Sequence, residues 1–290
     1  MMKNIPLVVC TSDARKTALK PYFSLLYKYW KERPDNIYLV SETVQYHHEG
    51  LNIINCNYDK ENTWSERLLK TLEKIDTEYV ILSLEDYFLL GDVKQNKLEK
   101  CLTYMQEDKK IASIRLLWQY YDKVETYKSL SDEGFFRVRR IDTQVALWRK
   151  KALSEFLNEK ESAWDFEINA TKRAETSDWV LLWHYRKEDP DFRDSIFPYD
   201  YRVGNGYGIY AGVWLWNNKP WFEENGIYDV NYKELGVLSE RAMKRRIKYV
   251  YKPNRSPFEK FVGLFFKACF KIKKAYKVGI KGSLKYLKRK

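Results

Sequence analysis

Residues 79–90 read YVILSLEDYFLL. The run is almost wholly apolar from Tyr79 to Leu84, then Glu85 and Asp86 stand side by side, and apolar residues resume at Phe88. An apolar stretch of this length without polar alternation is the pattern of a strand buried on both faces, as in a parallel sheet covered by helices. Ligands of open α/β sheets bind just beyond the carboxyl ends of such strands. The acidic doublet therefore falls where a site is expected.

Working outward, the preceding segment WSERLLKTLEKI (residues 64–75) sets Leu68, Leu69, Leu72 and Ile75 on one helical face, with Thr63 or Ser65 available as N-cap. Before it, residues 51–56, 36–40 and 5–11 (IPLVVCT) read as short apolar strands. Residues 14–30, ARKTALKPYFSLLYKYW, have helical spacing apart from Pro21, and Ser12 and Asp13 can cap them. Strand, helix, strand, strand, helix, strand is the order of an α/β sheet flanked by helices. Beyond the doublet, a helix is expected over 93–105, strands over 111–118, 135–138 and 143–148, and a short helix over 151–157. A second acidic cluster, ESAWDFEI with Glu161, Asp165 and Glu167, leads into a helix over 166–175.

The chain has 290 residues, enough for one large domain, taken here as 1–250, followed by a tail, 251–290. Its aromatic share, 16% with 10 Trp and 23 Tyr, suits an aromatic core or rings stacked on sugars, and composition leaves both open. Cys10, Cys56, Cys101 and Cys269 lie far apart with no CxxC pair, so neither a zinc site nor a disulfide framework is suggested. The apolar run near the N-terminus is too short for a signal-peptide core, and no segment reaches the ~20 apolar residues of a spanning helix. A cytoplasmic location is the expectation.

Charge is informative when divided. Residues 241–290 carry 18 Lys or Arg and a single acid, Glu259, against +12 for the whole chain, so the preceding residues are net acidic. In the tail, Phe258, Phe261, Val262, Phe265, Cys269, Ile272 and Tyr276 recur at three- and four-residue steps among lysines, which describes a basic amphipathic helix. An anionic membrane surface would bury the dense apolar residues of FVGLFFKACF; nucleic acid would need only the charge. The expected partner of residues 251–290 is thus a membrane and not nucleic acid, with Pro253 and Pro257 marking the linker.

A strand ending in an acidic doublet, followed later by WDFE, resembles GT-A fold glycosyltransferases of the family-2-like, bacterial surface-polysaccharide group. The likeness covers roughly residues 7–238. It implies a Rossmann-type mixed sheet flanked by helices, with the basic tail appended. It also implies that Glu85 and Asp86 act as the DxD-type pair, holding a divalent Mn or Mg on a nucleotide-diphosphate sugar. Tyr87 stands where a strict DxD would place its second acid. Trp164 and Glu167 match the Trp and acid of the WGGE-type motif, with Asp165 and Phe166 replacing its glycines. The resemblance makes Glu167, or failing it Asp165, the base that takes the proton of an acceptor hydroxyl, with inversion at the sugar.

Thr11, Ser12, Asp13 and Arg15 follow the first strand, where such a fold places base, ribose and phosphate, and the resemblance makes Arg67 a further candidate donor contact. His184, in VLLWHYR, is a candidate third metal ligand, although a lone His among aromatics also fits a structural role. YRVGNGYGIYAGVWLWNNKPWF (201–222) reads as a loop able to close over a substrate, with Trp214, Trp216 and Trp221 as candidate stacking rings. The expectation is a glycosyltransferase acting on a glycan or lipid-linked oligosaccharide, peripheral at the inner face of the cell membrane. The alternative is a non-catalytic nucleotide- or glycan-binding scaffold recruited by the tail. A nucleotidyltransferase would want a glycine-rich phosphate loop after the first strand, and LVVCTSDARK has no glycine.

Overall fold

A computed structural model describes residues 2–119, 123–185, 191–200, 202 and 205–246. The basic tail, the linker prolines and the boundary at 250/251 lie outside them. The chain divides into two compact units, residues 1–201 with 219–235, and residues 202–218 with 236–290.

The first unit opens with β1 (Leu7–Cys10), every residue of it buried. The expected helix over 14–30 is two pieces: a 3-10 segment, Asp13–Ala18, then α1 (Leu19–Tyr29). Pro21 is the third residue of α1, where the missing N–H is one the helix could not have bonded in any case. There follow β2 (Ile37–Ser41), β3 (Ile53–Asn57), α2 (Trp64–Leu72) and β4 (Tyr79–Leu84). Thr63 is the cap of α2, its hydroxyl accepting from Glu66 N at 3.1 Å. Next come α3 (Gln95–Glu107), β5 (Ile111–Gln119), β6 (Phe135–Val138), β7 (Ala146–Arg149), α4 (Lys150–Phe156), α5 (Ala163–Glu175) and β8 (Val180–Tyr185).

These strands form one mixed sheet in the order β3-β2-β1-β4-β7-β5-β8-β6. β1, β2, β3 and β4 are mutually parallel, as are β5 and β8, whereas β7 runs antiparallel between β4 and β5, and β6 is an antiparallel edge. The sequence reading supplied the α/β class but no strand at 180–185. One face is covered by α2, α4 and α5 through Leu68, Leu72, Leu153, Phe156, Phe166 and Ala170, packed on Val8, Val80, Leu82, Trp148 and Trp183. The opposite face carries the buried sides of α1 and α3, and Tyr22 Oη donates to Ser83 Oγ at 2.9 Å.

The strand order reverses around β1: β2 and β3 lie on one side of it, β4 on the other. The carboxyl ends of β1 and β4 lie side by side at this reversal, the switch point where α/β sheets bind ligands. β7 adds a second consequence. Its register runs Leu82↔Ala146 and Ile81↔Leu147, so continuing it lays Val145, Gln144 and Thr143 beside Ser83, Leu84 and Glu85.

The second unit holds β9 (Ile209–Tyr210), β10 (Val213–Leu215), β11 (Val237–Leu238) and α8 (Glu240–Arg246). Two further helices, α6 (Asn218–Glu224) and α7 (Tyr232–Leu235), fall mainly in the first unit. Gly206, at φ +87°, has the Trp216 ring 2.6 Å from where a Cβ would stand, so that ring fixes glycine there. Trp214 is fully buried and is a core residue of its unit, not a stacking ring. Trp221 stacks on Tyr29 with ring centroids 6.4 Å apart. Among the described residues no helix is long and apolar enough to cross a membrane.

Candidate functional site

The site is built from the carboxyl ends of β1, β2 and β4. β1 delivers Thr11, whose amide donates to Val40 O at 2.9 Å, pinning it beside β2. Ser12 is extended, with its carbonyl accepting from Arg15 N at 2.8 Å, a turn that swings Arg15 back toward the doublet. Asp13 lines a cleft, and its carboxylate is also engaged: it accepts from Thr43 N at 2.8 Å and from Thr43 Oγ1 at 2.6 Å, and its own amide donates to Glu42 Oε2 at 2.7 Å. The Thr43 hydroxyl holds the Asp13 carboxyl below its ordinary pKa. Asp13 is therefore a clasp between the loops after β1 and β2.

Arg67, one turn into α2, is 7% exposed and forms an ion pair with Glu42, Nη1 to Oε1 at 2.8 Å. A second donor contact from Arg67 Nη1 reaches Asn62 O at 3.2 Å. Sequence reasoning passed over Glu42, although an acid closing the apolar strand IYLVS at its carboxyl end was a readable signal. Two clefts lie along the loop that follows β2. One of about 430 Å³ lies between Asp13, Lys16 and Leu19 on one wall and Thr43 to Tyr46 on the other. Another of about 510 Å³ is lined by Glu42, Asn57, Tyr58, Lys60 and Lys70.

Neither cleft is lined by the doublet, which leaves β4 next to β1. Glu85 is 6% exposed and Asp86 half-buried. Burial pushes both carboxyl pKa values up; for Glu85 the Asp86 charge adds to the rise, and for both the nearby Arg15 opposes it. Arg15 Nη1 and Thr11 Oγ1 are buried polar atoms with no hydrogen-bond partner among the described residues. Buried polar atoms are nearly always satisfied, so two orphans beside two carboxylates mark a place prepared for a polar ligand.

The far wall is the loop that enters β7. Glu167, on α5, accepts through Oε1 from Thr143 N at 2.9 Å and Thr143 Oγ1 at 2.7 Å. Gln144 Nε2 donates to Tyr87 Oη at 3.3 Å, and Tyr87 stacks on Tyr199 with centroids 4.6 Å apart. Asp142 pairs with the buried Arg115 at 3.0 Å. Glu167 thus adjoins the segment that lies beside the doublet. Asp165 is committed elsewhere: it is the third residue of α5 and completes a capping box, accepting from Ser162 N at 3.2 Å and Ser162 Oγ at 2.6 Å. The Ser162 hydroxyl lowers the Asp165 pKa. Glu161, the other acid of the cluster, is held by Arg173 at 2.7 Å.

His184 is not brought to the doublet. It lies on β8, three strands across the sheet from β4, ~14 Å at ordinary strand spacing. Its ring is 2% exposed, stacked against Trp118 and on Phe135 at 4.6 Å between centroids. Aromatic packing explains its position. Among the described residues no group of three His, Cys, Asp or Glu could enclose a metal. Two adjacent carboxylates do suit a hard divalent ion of the magnesium kind, which takes one or two carboxylates and fills its remaining positions with substrate phosphate and water. Glu85 and Asp86 fit that partial set.

No protein-family model matches the chain, and no curated protein matches it. Some solved structures are similar. One is CMP:2-keto-3-deoxy-manno-octonic acid synthetase complexed with CTP, at 10% identity and TM-score 0.40, covering 63% of this chain and 90% of that one. Another is the mannosyltransferase PcManGT from Pyrobaculum calidifontis in complex with GDP-Man and Mn2+, at 10% identity and TM-score 0.41, covering 63% of this chain and 56% of that one. HddC from Yersinia pseudotuberculosis is similar at 9% identity and TM-score 0.42, covering 63% and 91%. Likeness this slight carries no weight for the site. Its reading rests on its own residues.

Proposed function

We propose that the chain is a GT-A-like glycosyltransferase, moving a sugar from a nucleotide diphosphate to a glycan or lipid-linked acceptor in surface polysaccharide synthesis. The observation that carries this is the doublet of buried Glu85 and half-buried Asp86 at the switch point, beside an arginine whose Nη1 has no hydrogen-bond partner among the described residues. With both carboxyls ionised, the pair outweighs the one cation. A diphosphate enters such a pocket with a cation of its own.

In this reading the nucleoside lies along the clefts beside Thr43 to Tyr46, walled by Leu19 and Tyr46, with the Glu42–Arg67 pair offering an acceptor and a donor side by side. Thr11 Oγ1 and Arg15 Nη1 meet ribose or phosphate oxygens. Bound Mn or Mg, on Asp86 and Glu85, would supply positive charge where the leaving diphosphate gains negative charge. On the opposite wall Glu167 takes the proton of the acceptor hydroxyl, its geometry fixed by the two hydrogen bonds from Thr143. Attack from the side opposite the leaving group inverts the anomeric centre. Asp165 is a weaker base because the capping box occupies it. The basic tail, residues 251–290, brings the protein to the anionic inner face of the cell membrane, where a lipid-linked acceptor is held.

The test is thermal stabilisation by a panel of nucleotide sugars with and without manganese. A ligand at ~100 times its dissociation constant adds roughly 2.7 kcal/mol, an easily read shift. If no nucleotide sugar stabilises the protein with or without the ion, the reading fails.

A further inference from the structure

Side-chain hydrogen bonds run in series from Tyr199 through Tyr87 to Glu167. Tyr199, 1% exposed, gives its hydroxyl proton to Gln144 Oε1, while its oxygen accepts from Val145 N at 3.4 Å. Gln144 Nε2 donates onward to Tyr87 Oη at 3.3 Å, and the two tyrosine rings stack with centroids 4.6 Å apart. The Thr143 hydroxyl is in turn hydrogen-bonded to that of Tyr87. Since Thr143 gives its proton to Glu167 Oε1, at 2.7 Å, the bond between the two hydroxyls uses the proton of Tyr87. Every donor therefore points the same way, toward the carboxylate. Glu167 Oε1 also accepts the Thr143 amide, whereas Oε2 has no hydrogen bond among the described residues. The backbone beneath the series is held as well, with Gln144 N on Asp142 Oδ1 at 3.2 Å and Asp142 paired with buried Arg115.

From this one-way series, which joins the residue next to Asp86 to Glu167 by way of Gln144 and Thr143, we propose that Tyr87 is a positioning residue for the base. It fixes the Thr143 proton on Glu167 Oε1 and so leaves Oε2 as the oxygen that takes the acceptor proton. This role rests on the reading of Glu167 as the base. A threonine hydroxyl by itself rotates to suit whichever acceptor is near; a donor already on its oxygen leaves its own proton directed at Glu167. Hydrogen bonds in a chain also polarise one another, so the Tyr199 end strengthens the bond at the carboxylate. Proton transfer depends on a carboxylate held within hydrogen-bond reach of the reacting hydroxyl, and one free to swing loses that geometry. Packing alone does not account for the arrangement, because two stacked rings need no amide threaded between their hydroxyls. Tyr87 thus links the donor wall to the acceptor wall at the position where a strict DxD would carry an acid.

The experiment uses the full chain, manganese and the nucleotide sugar that stabilises it most, and follows release of the nucleoside diphosphate with water as the acceptor. Water, like a sugar hydroxyl, gives its proton to the base as it attacks the anomeric carbon and the bond to the diphosphate breaks. Tyr87→Phe keeps the stack on Tyr199 and removes only the hydroxyl. Its turnover at saturating donor falls about 3- to 10-fold, the worth of one hydrogen bond, while the donor KM and the stabilisation by donor stay as in wild type. Thr143→Val falls at least as far, and Thr143→Ser, which keeps the hydroxyl, stays near wild type. In the Thr143→Val background Tyr87→Phe costs nothing further, because the series is already cut. A full additional loss in that background overturns the proposal, as does wild-type turnover of Tyr87→Phe. A raised donor KM with turnover unchanged overturns it too and places Tyr87 against the donor. Glu167→Gln separates the two readings: if it turns over like wild type, the base assignment falls and the role of Tyr87 with it, whereas slow turnover there with additive losses at Tyr87 and Thr143 ends the role of Tyr87 alone.

Discussion

Replacing Glu85 by glutamine tests whether the doublet is a charged site held against its own solvation. Burial and the adjacent Asp86 carry the Glu85 carboxyl from its ordinary 4.5 up to about 8. A carboxyl raised in the folded state binds a proton there that the unfolded chain has released, so stability is fully present below about 4.5 and is lost as pH climbs through about 8. At ~1.4 kcal/mol per pH unit the full shift is worth on the order of 5 kcal/mol, and water admitted beside the carboxylate brings the expected gain to roughly 2–5 kcal/mol. Glu85→Gln should match wild type near pH 5 and exceed it increasingly toward pH 8.5. The assay is thermal unfolding of both proteins across that range, without divalent ions. Parallel curves at every pH would refute the reasoning, because they would mean that the carboxylate is solvated and the strand end ordinary.

Further outcomes follow from the same geometry. Asp86→Asn should weaken nucleotide-sugar binding and its dependence on manganese, measured by calorimetry; unchanged affinity and metal response would reduce the doublet to a strand end. Glu167→Gln keeps the acceptor for Thr143 and should retain donor binding while transfer falls about 10²- to 10⁴-fold, the worth of a general base, whereas Asp165→Asn keeps an acceptor for Ser162, should cost at most about 1 kcal/mol by loss of the negative charge favoured at a helix N-terminus, and should leave transfer near normal. The reverse ranking moves the base to Asp165. His184→Asn should lower the thermal midpoint by opening the aromatic stack with Trp118 and Phe135, yet leave manganese-dependent donor stabilisation intact; loss of the metal response would restore His184 to the site. A chain ending at Pro253 should keep its thermal midpoint and sediment less with anionic vesicles, and equal sedimentation would set aside the role of the tail.

Much of the sheet was legible because its signals are local. The unbroken apolar run of β4, the Thr63 cap of α2 and the alternation of strands and helices up to residue 84 each depend on neighbours in sequence. The direction of β7 was not legible, since TQVALW reads the same in either sense and only its partners decide it. At the site, the doublet could be found as acids at the end of an apolar strand, and Arg67 only through the family resemblance. Asp13 could not be read as a clasp, because its partner Thr43 lies 30 residues away. A structural His184 was legible from its aromatic neighbours in sequence, but not its partners Trp118 and Phe135, which strands β5 and β6 bring to it. Distant pairing, not local propensity, made the difference.

The reversed strand β7 also governs when the site can exist. The crevice at β1 and β4 is complete in the first 86 residues, but its opposing wall, Asp142 to Val145, arrives only when β7 inserts beside β4 and α5 places Glu167 under Thr143. The β4–β7 pairing spans no more chain than β1–β4, Leu82↔Ala146 against Leu7↔Ile81, so it comes later only because its residues are synthesised later. As a nascent chain grows, the nucleotide half can therefore gather before the residues that would receive an acceptor have been made. Capture of the donor would precede competence to use it, and a ribosome-bound chain halted before β7 would be a folding intermediate with half of a crevice.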